Sequence, residues 1–200
     1  MSELTPAPRR SPLAFVALAL LTEAPMHAYR MQQLIKERGK DRVVNVARRN
    51  SVTQAVDLLL RDGLIAVQET QRDQYRPART IYQITPQGRE VFQQWMREML
   101  STPAREFPRF PAALAFLGLF SCTDVRRQLQ ARASALEHRL AETAEALSNT
   151  ALPRVFLIEE EYLHAMTTAE LQWVRSITNE LASGELHWDT EQLLTFVPPG

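Results

Sequence analysis

Cysteine and glycine are scarce in this chain of 200 residues, which has one cysteine and six glycines. Cys122 alone cannot form a disulfide within the chain, and no cysteine and histidine cluster has zinc-site spacing. The apolar run from Leu13 to Leu21 has nine residues, which is too short to span a bilayer. We therefore expect a cytoplasmic protein with an apolar core, no membrane span, no metal and no cofactor.

The formal net charge is zero, but the two halves of the chain differ in sign. The first hundred residues carry 15 basic and 10 acidic side chains, whereas the last hundred carry 8 and 13. The halves therefore have net charges of +5 and −5. Such an asymmetry indicates a basic half that meets an anion, such as nucleic acid, and an acidic half with another role.

The first hundred residues have the pattern of three helices followed by a hairpin and a fourth helix. Apolar residues recur at helical spacing, then alternate in the manner of strands, and the helical period returns after Thr85-Pro86. The predicted helices span about 12–23, 27–38, 51–62 and 86–100, and the predicted strands span 64–70 and 79–85, around a polar loop at 71–78. This order is that of a winged helix-turn-helix.

Three prolines mark a boundary at residues 101–111, where the charge balance also changes sign. Beyond it the pattern is helical, with a short helix at about 112–120, a long one from Ser121 and a last one at about 153–183. The fold class is therefore mainly α. The predicted organisation is a flexible N-terminus, a winged-helix DNA-binding domain, a Pro-rich linker, a helical dimerisation domain and a tail, at residues 1–11, 12–100, 101–111, 112–188 and 189–200.

The long helix carries an apolar seam with steps of three and four residues, as in a coiled coil. An isolated chain would leave such a stripe exposed, so we expect a homodimer that buries it. The predicted dimerisation residues are Leu129, Ala133, Leu136, Leu140 and Leu147.

Polar and basic residues follow the third predicted helix and the hairpin, which are the parts of a winged helix that meet DNA. Amides and hydroxyls at the start of the third helix suit base edges, and arginines in the wing suit phosphates or a narrow minor groove. The predicted DNA-binding residues are Lys36, Lys40, Arg42, Arg48, Arg49, Asn50, Ser51, Thr53, Gln54, Arg72, Arg76 and Arg79.

Three motifs in this region resemble the PadR family of transcriptional regulators. They are Pro25-Met-His-Ala-Tyr29, Leu59-Leu-Arg-Asp-Gly-Leu-Ile65 and the segment from Arg76 to Glu90, RPARTIYQITPQGRE. Residues 111–188 also resemble the larger C-terminal helical domain of part of that family. The resemblance implies a homodimeric repressor that binds an operator in double-stranded DNA and is released by a small aromatic or lipophilic effector. Thr53 stands where the family usually has tyrosine.

Trp95, on the fourth helix, is the residue beside which we expect that effector to bind, although aromatic side chains also serve as core. Two alternatives come from other classes. A winged-helix module could bind proteins without binding DNA. A metalloenzyme could use Glu161-x-x-His164, but the second copy that a di-iron site needs is missing from the sequence. We therefore expect a regulator and not an enzyme.

Overall fold

A computed structural model of the chain describes residues 11–46, 50–73, 76–148 and 151–195. The chain divides into two compact units, Met1–Arg105 and Glu106–Gly200, and the division falls within the proline-containing segment. In the part of the chain that the structure describes, no helix is long and apolar enough to cross a membrane.

The N-terminal unit has the element order of a winged helix-turn-helix, which confirms the predicted fold class. A 3-10 turn at Lys40–Arg42 lies between the second and third helices, and each helix begins and ends close to its predicted bounds. The elements are α1 (Pro12–Glu23), α2 (Ala28–Glu37), α3 (Ser51–Arg61), β1 (Ile65–Asp73), β2 (Arg76–Ile84) and α4 (Pro86–Ser101).

The hairpin differs from the sequence prediction because both strands extend into the segment predicted as a loop. The pairing of the strands has two bulges. Gln68 is the extra residue of the first, on β1, and the second has its extra residue on β2 near Pro77. A bulge is one of the few places in a strand where proline is tolerated, because proline has no N–H to donate. Met26 and Tyr82 exchange two backbone hydrogen bonds of 3.0 Å, so the segment before α2 pairs with β2 at the base of the wing.

The core of the N-terminal unit is built around α1, whose apolar run is buried on most of its surface. Ala14, Ala17 and Leu18 are inaccessible to solvent, and Phe15 stacks on Phe92 of α4 with ring centroids 5.1 Å apart. Trp95 belongs to this same core and is 4 % exposed. The indole is therefore a packed core side chain, and the effector site beside Trp95 stays a prediction.

The start of α4 is tied to the backbone at the start of β1. The Thr85 hydroxyl caps α4 by accepting the Gly88 N–H at 3.0 Å, and it lies 2.9 Å from the Gly63 carbonyl oxygen, to which it can donate. The Thr85 N–H donates to the Leu64 carbonyl at 3.1 Å. A Cβ on Gly88 would lie 2.0 Å from that carbonyl oxygen. Helix α4 therefore lies closer to the Leu64 backbone than a side chain at position 88 would allow.

The C-terminal unit is helical, with two long helices packed against each other as a pair. Two predictions were wrong in detail. The short helix is a helix followed by a 3-10 turn at Leu117–Leu119, and the last long helix begins after a separate 3-10 turn at Arg154–Phe156. Part of the predicted tail is also helical. The helices are α5 (Arg109–Leu114), α6 (Cys122–Leu147), α7 (Ile158–Ser183) and α8 (Thr190–Thr195).

The predicted dimerisation seam of α6 packs on α7 of the same chain. Leu129 and Leu136 are buried against a cluster that includes Leu171, Val174 and Leu181 of α7. Ala133 and Leu140 pack on the same cluster, and Leu147 is half-buried. The expectation that an isolated chain exposes this stripe to solvent was therefore wrong, because the heptad-like pattern is satisfied by a helix pair within the chain.

The close approach at Gly88 generates the first prediction. We expect Gly88→Ala to lower the free energy of unfolding by about 1–3 kcal/mol, as overpacking against fixed backbone does. Urea denaturation followed by circular dichroism measures this change. Glu90→Ala, on the exposed side of α4, is the control and should leave stability nearly unchanged. A Gly88→Ala variant as stable as the parent would contradict the observed packing.

Candidate nucleic-acid interface

Helix α3 has one buried face and one exposed face. Val52, Ala55, Val56 and Leu59 are buried in the core of the unit. At about 100° per residue, Asn50, Gln54, Asp57 and Arg61 lie on the opposite side of the helix, with Thr53 beside them. We call these five residues the α3 outer stripe, and all of them are exposed. The stripe offers amide, hydroxyl, carboxylate and guanidinium groups to a partner.

Helix α2 begins with a side-chain cap at His27, where the sequence predicted only the start of a helix. The His27 ring nitrogen Nδ1 accepts the Arg30 N–H at 3.0 Å, so this histidine closes the first turn of the helix. Tyr29, two residues later, is 63 % exposed and stacks on the His27 ring with centroids 6.2 Å apart. These two rings therefore lie together at the start of the first helix of the helix-turn-helix.

The basic side chains of α2 fall into two groups. Arg30 pairs with Glu37 at 3.0 Å, and Arg38 donates two hydrogen bonds to Glu23 of α1, at 2.6 and 2.8 Å. Lys36 is exposed and has no ion pair within the described ranges. The predicted residue Lys36 is thus more available to an anion than Arg30 of the same helix or Arg38 at its C-terminal cap.

The Glu23–Arg38 pair fixes α2 against α1 and is a feature that the sequence did not reveal. The hydrogen bond from Arg38 holds the pKa of the Glu23 carboxyl below its ordinary value, although partial burial opposes this shift. The same hydrogen bond raises the pKa of the Arg38 guanidinium. The two residues are 15 apart in sequence, so no periodic pattern links them.

Two open cavities lie beside the turn between α2 and α3. One of about 670 Å³ is lined by Gln32, Lys36, Asp41 and Arg42, together with the segment 43–46. The other, of about 490 Å³, lies where the starts of α1 and α3 come together, and Ser51 and Gln54 are among its lining residues. The structure therefore brings predicted residues from α2, the turn and α3 to one region of the unit.

Other predicted DNA-binding residues are only partly accounted for. Arg48 and Arg49 lie outside the described residues, as do the side chains of Arg72, Arg76 and Arg79, whose backbones belong to β1 and β2. Lys40 and Arg42 lie in the 3-10 turn after α2, and both have partners within the protein. The α3 outer stripe is therefore the best described part of the predicted interface.

The residues weighed as half of a metal site have other partners. Glu161 accepts two hydrogen bonds of 2.9 Å from Arg154, which hold the pKa of its carboxyl below the ordinary value. His164 lies one turn further along α7, with its Nδ1 2.9 Å from the Thr143 hydroxyl of α6. Among the residues that the structure describes, no group of three or more histidine, cysteine or acidic side chains could hold a metal ion.

The winged helix matches a known protein family. Residues 17–94, from α1 into α4, match the model of the transcriptional regulator PadR-like family. Residues 17–94 are PadR-like. This confirms the resemblance found in the motifs, and the matched family is one of transcriptional regulators. Among curated protein sequences, none matches the chain.

Solved structures similar to the chain carry the same fold. Bacillus subtilis PadR in complex with operator DNA superposes with a TM-score of 0.64 at 15 % identity, covering 84 % of this chain and 98 % of that one. The same protein in complex with p-coumaric acid gives 0.62 at 14 %, covering 85 % and 98 %. The Vibrio cholerae virulence activator AphA gives 0.63 at 18 %, covering 86 % and 98 %.

The ion pair that holds α2 in the PadR-like unit generates a prediction on pH. A lowered Glu23 pKa means that the pair stabilises the fold above about pH 4.5 and that this contribution is lost as the pH falls through the lowered pKa. We expect Arg38→Gln to lower stability by up to about 1 kcal/mol at pH 7, because the pair is half exposed. The difference from the parent protein should shrink below pH 4.

Urea denaturation at pH 7 and at pH 3.5 measures this dependence. Glu23→Gln is the matched variant, and the double variant should lose no more stability than either single one. A loss in Arg38→Gln that is equally large at both pH values would contradict the role given to the charge pair.

Proposed function

We propose that the chain is a sequence-specific DNA-binding transcriptional regulator that acts as a dimer in the cytoplasm. The α3 outer stripe carries this proposal, because it presents exposed amide and hydroxyl groups on the recognition helix of a PadR-like winged helix. Asn and Gln amides pair with adenine N6 and N7, and hydroxyls serve several base edges in the major groove. Lys36 and the wing arginines, Arg72, Arg76 and Arg79, supply the phosphate contacts.

The fold of an operator-bound protein supports this assignment. The Bacillus subtilis PadR structure with operator DNA shares the architecture over 84 % of this chain. In such winged helices the third helix enters the major groove and the wing meets the backbone or the minor groove. In this chain the apolar face of α3 is fixed in the core, so its outer stripe is the face that remains for DNA.

The proposed dimer uses α7. One side of α7 packs on α6 through Thr167, Leu171 and Val174, which are buried. The opposite side carries Ile158, Tyr162, Met166 and Trp173, which are 42–63 % exposed. Spacings of four, four and seven residues make these side chains one apolar stripe along the helix. A second copy of the chain buries this stripe symmetrically in the dimer that we propose.

The proposed regulator is a repressor released by a small aromatic or lipophilic effector. The similar structure solved with p-coumaric acid supports an aromatic effector. The similar virulence activator is a regulator of the opposite sign, so it does not support the repressor role. An effector must bind the released conformation better than the DNA-bound one, since equal affinity shifts no equilibrium. An effector that binds beside Trp95, as predicted, must reach an indole that is packed in the core and 4 % exposed.

DNA binding can be tested with two neighbouring cations, Lys36 of α2 and Arg38 at the C-terminal cap of that helix. We expect Lys36→Gln to weaken binding to all DNA sequences and to reduce the slope of affinity against salt by about one, the signature of a lost phosphate contact. Arg38→Gln removes a cation already held by Glu23 and should change the slope less. Fluorescence anisotropy over a salt series measures both.

Base reading is tested by Gln54→Ala in the same assay, since this variant should cost about 1–3 kcal/mol at one base position only. A folded wild-type protein that binds no DNA at low salt would contradict the proposal and favour the protein-interaction module.

Dimer formation can be tested on the exposed stripe of α7. We expect Met166→Glu to convert the dimer to a folded monomer, because a carboxylate in a closed apolar interface has no partner. Sedimentation velocity at micromolar protein measures the mass. Gln130→Glu, on an exposed position of α6, is the control and should remain dimeric. Leu136→Glu should instead unfold the C-terminal unit. A dimeric Met166→Glu variant would exclude this face as the interface.

A further inference from the structure

The α3 outer stripe contains a carboxylate near its centre. At about 100° per residue, Asp57 lies about 20° from Asn50 and about 40° from Arg61 in angle. It is within about 30° of the direction opposite the buried face. It stands about 4.5 Å further along the helix axis than Gln54. Whatever surface the stripe meets, Asp57 therefore meets it too.

Among the residues that the structure describes, no basic side chain neutralises this carboxylate. Arg61 is four residues later on the same side of the helix, the spacing at which an ion pair with Asp57 would form. Its Nε instead donates to Asp62 at 3.3 Å. In the described part of the chain, Asp57 has neither a hydrogen bond nor an ion pair, and it is exposed. Asp57 thus has free acceptors for a donor on the partner.

The major groove offers few donors to such a group. Guanine presents N7 and O6 acceptors there, and thymine presents O4 and a methyl group, so neither suits a carboxylate. Adenine places its N7 acceptor next to its N6 amino donor, which repels a second carboxylate oxygen. Cytosine presents only its N4 amino donor. Cytosine is therefore the one base that gives a carboxylate a hydrogen bond with no acceptor beside the donor. At guanine or thymine the carboxylate loses its water without gaining a donor.

We propose that Asp57 is a specificity-determining residue that reads a cytosine in each half-site of the operator. This assignment rests on the proposed function, because it requires α3 to enter the major groove. Asp57 also repels the phosphates of every sequence, so it weakens non-specific binding while it favours sites that place cytosine N4 against it. The same side chain thus raises the ratio of specific to non-specific affinity in two ways.

The test is a selection from a random pool of double-stranded DNA with the full-length protein at a stated salt concentration. Wild type, Asp57→Asn, Asp57→Ala and the control Glu90→Gln are compared, with circular dichroism to check folding. Glu90→Gln removes the same charge from an exposed position of α4. The wild-type protein should enrich cytosine at one position of each half-site, by about tenfold over the other bases.

The variants should respond differently at that position. Asp57→Asn should switch the preference from cytosine to adenine, because an asparagine amide pairs with adenine N6 and N7. Asp57→Ala should lose the preference without gaining another, and both variants should bind random DNA more tightly. Glu90→Gln should keep the wild-type preference.

Two failures can be told apart. If wild type enriches an operator and Asp57→Asn keeps every base preference while binding all sequences more tightly, Asp57 faces the DNA backbone and the assignment is overturned. If wild type enriches no sequence at all, the proposed function itself fails, and the assignment falls with it.

Discussion

The burial of the apolar face of α3 is the constraint on which the interface depends. Val52, Val56 and Leu59 are 1–3 % exposed in the core built around α1. A helix fixed on that side can present only the opposite side to a partner, so the direction of the α3 outer stripe follows from packing and not from any contact with DNA. The cap and close approach at Thr85 and Gly88 then hold α4 against the start of β1.

Features with a local period could be predicted from the sequence. The helices of the PadR-like unit and the winged-helix order follow from apolar spacing of three and four residues and from the change to alternation at Leu64. The same signal could not tell which helix covers the seam of α6, because a heptad-like stripe has the same spacing whether its partner is α7 or a second chain. The partner depends on tertiary packing.

Features that join distant residues could not be predicted. Nothing near Arg38 in the sequence indicates that it pairs with Glu23. The sequence therefore could not distinguish this paired arginine from Lys36, which has no ion pair among the described residues. The buried Trp95 shows the same limit, since an aromatic residue on an amphipathic helix suits core and pocket alike. The bulges that lengthen the hairpin arise from strand pairing, of which Pro77 was only a partial sign.

The central claim is that the α3 outer stripe enters the major groove of operator DNA in each half of a dimer. Protection of guanine N7 from dimethyl sulfate tests it most directly, because N7 is exposed only in the major groove. On a selected operator, the account predicts two protected segments centred about 34 Å apart, or a multiple of that distance, on one face of the duplex. A bound operator whose guanine N7 atoms all remain reactive would contradict the claim.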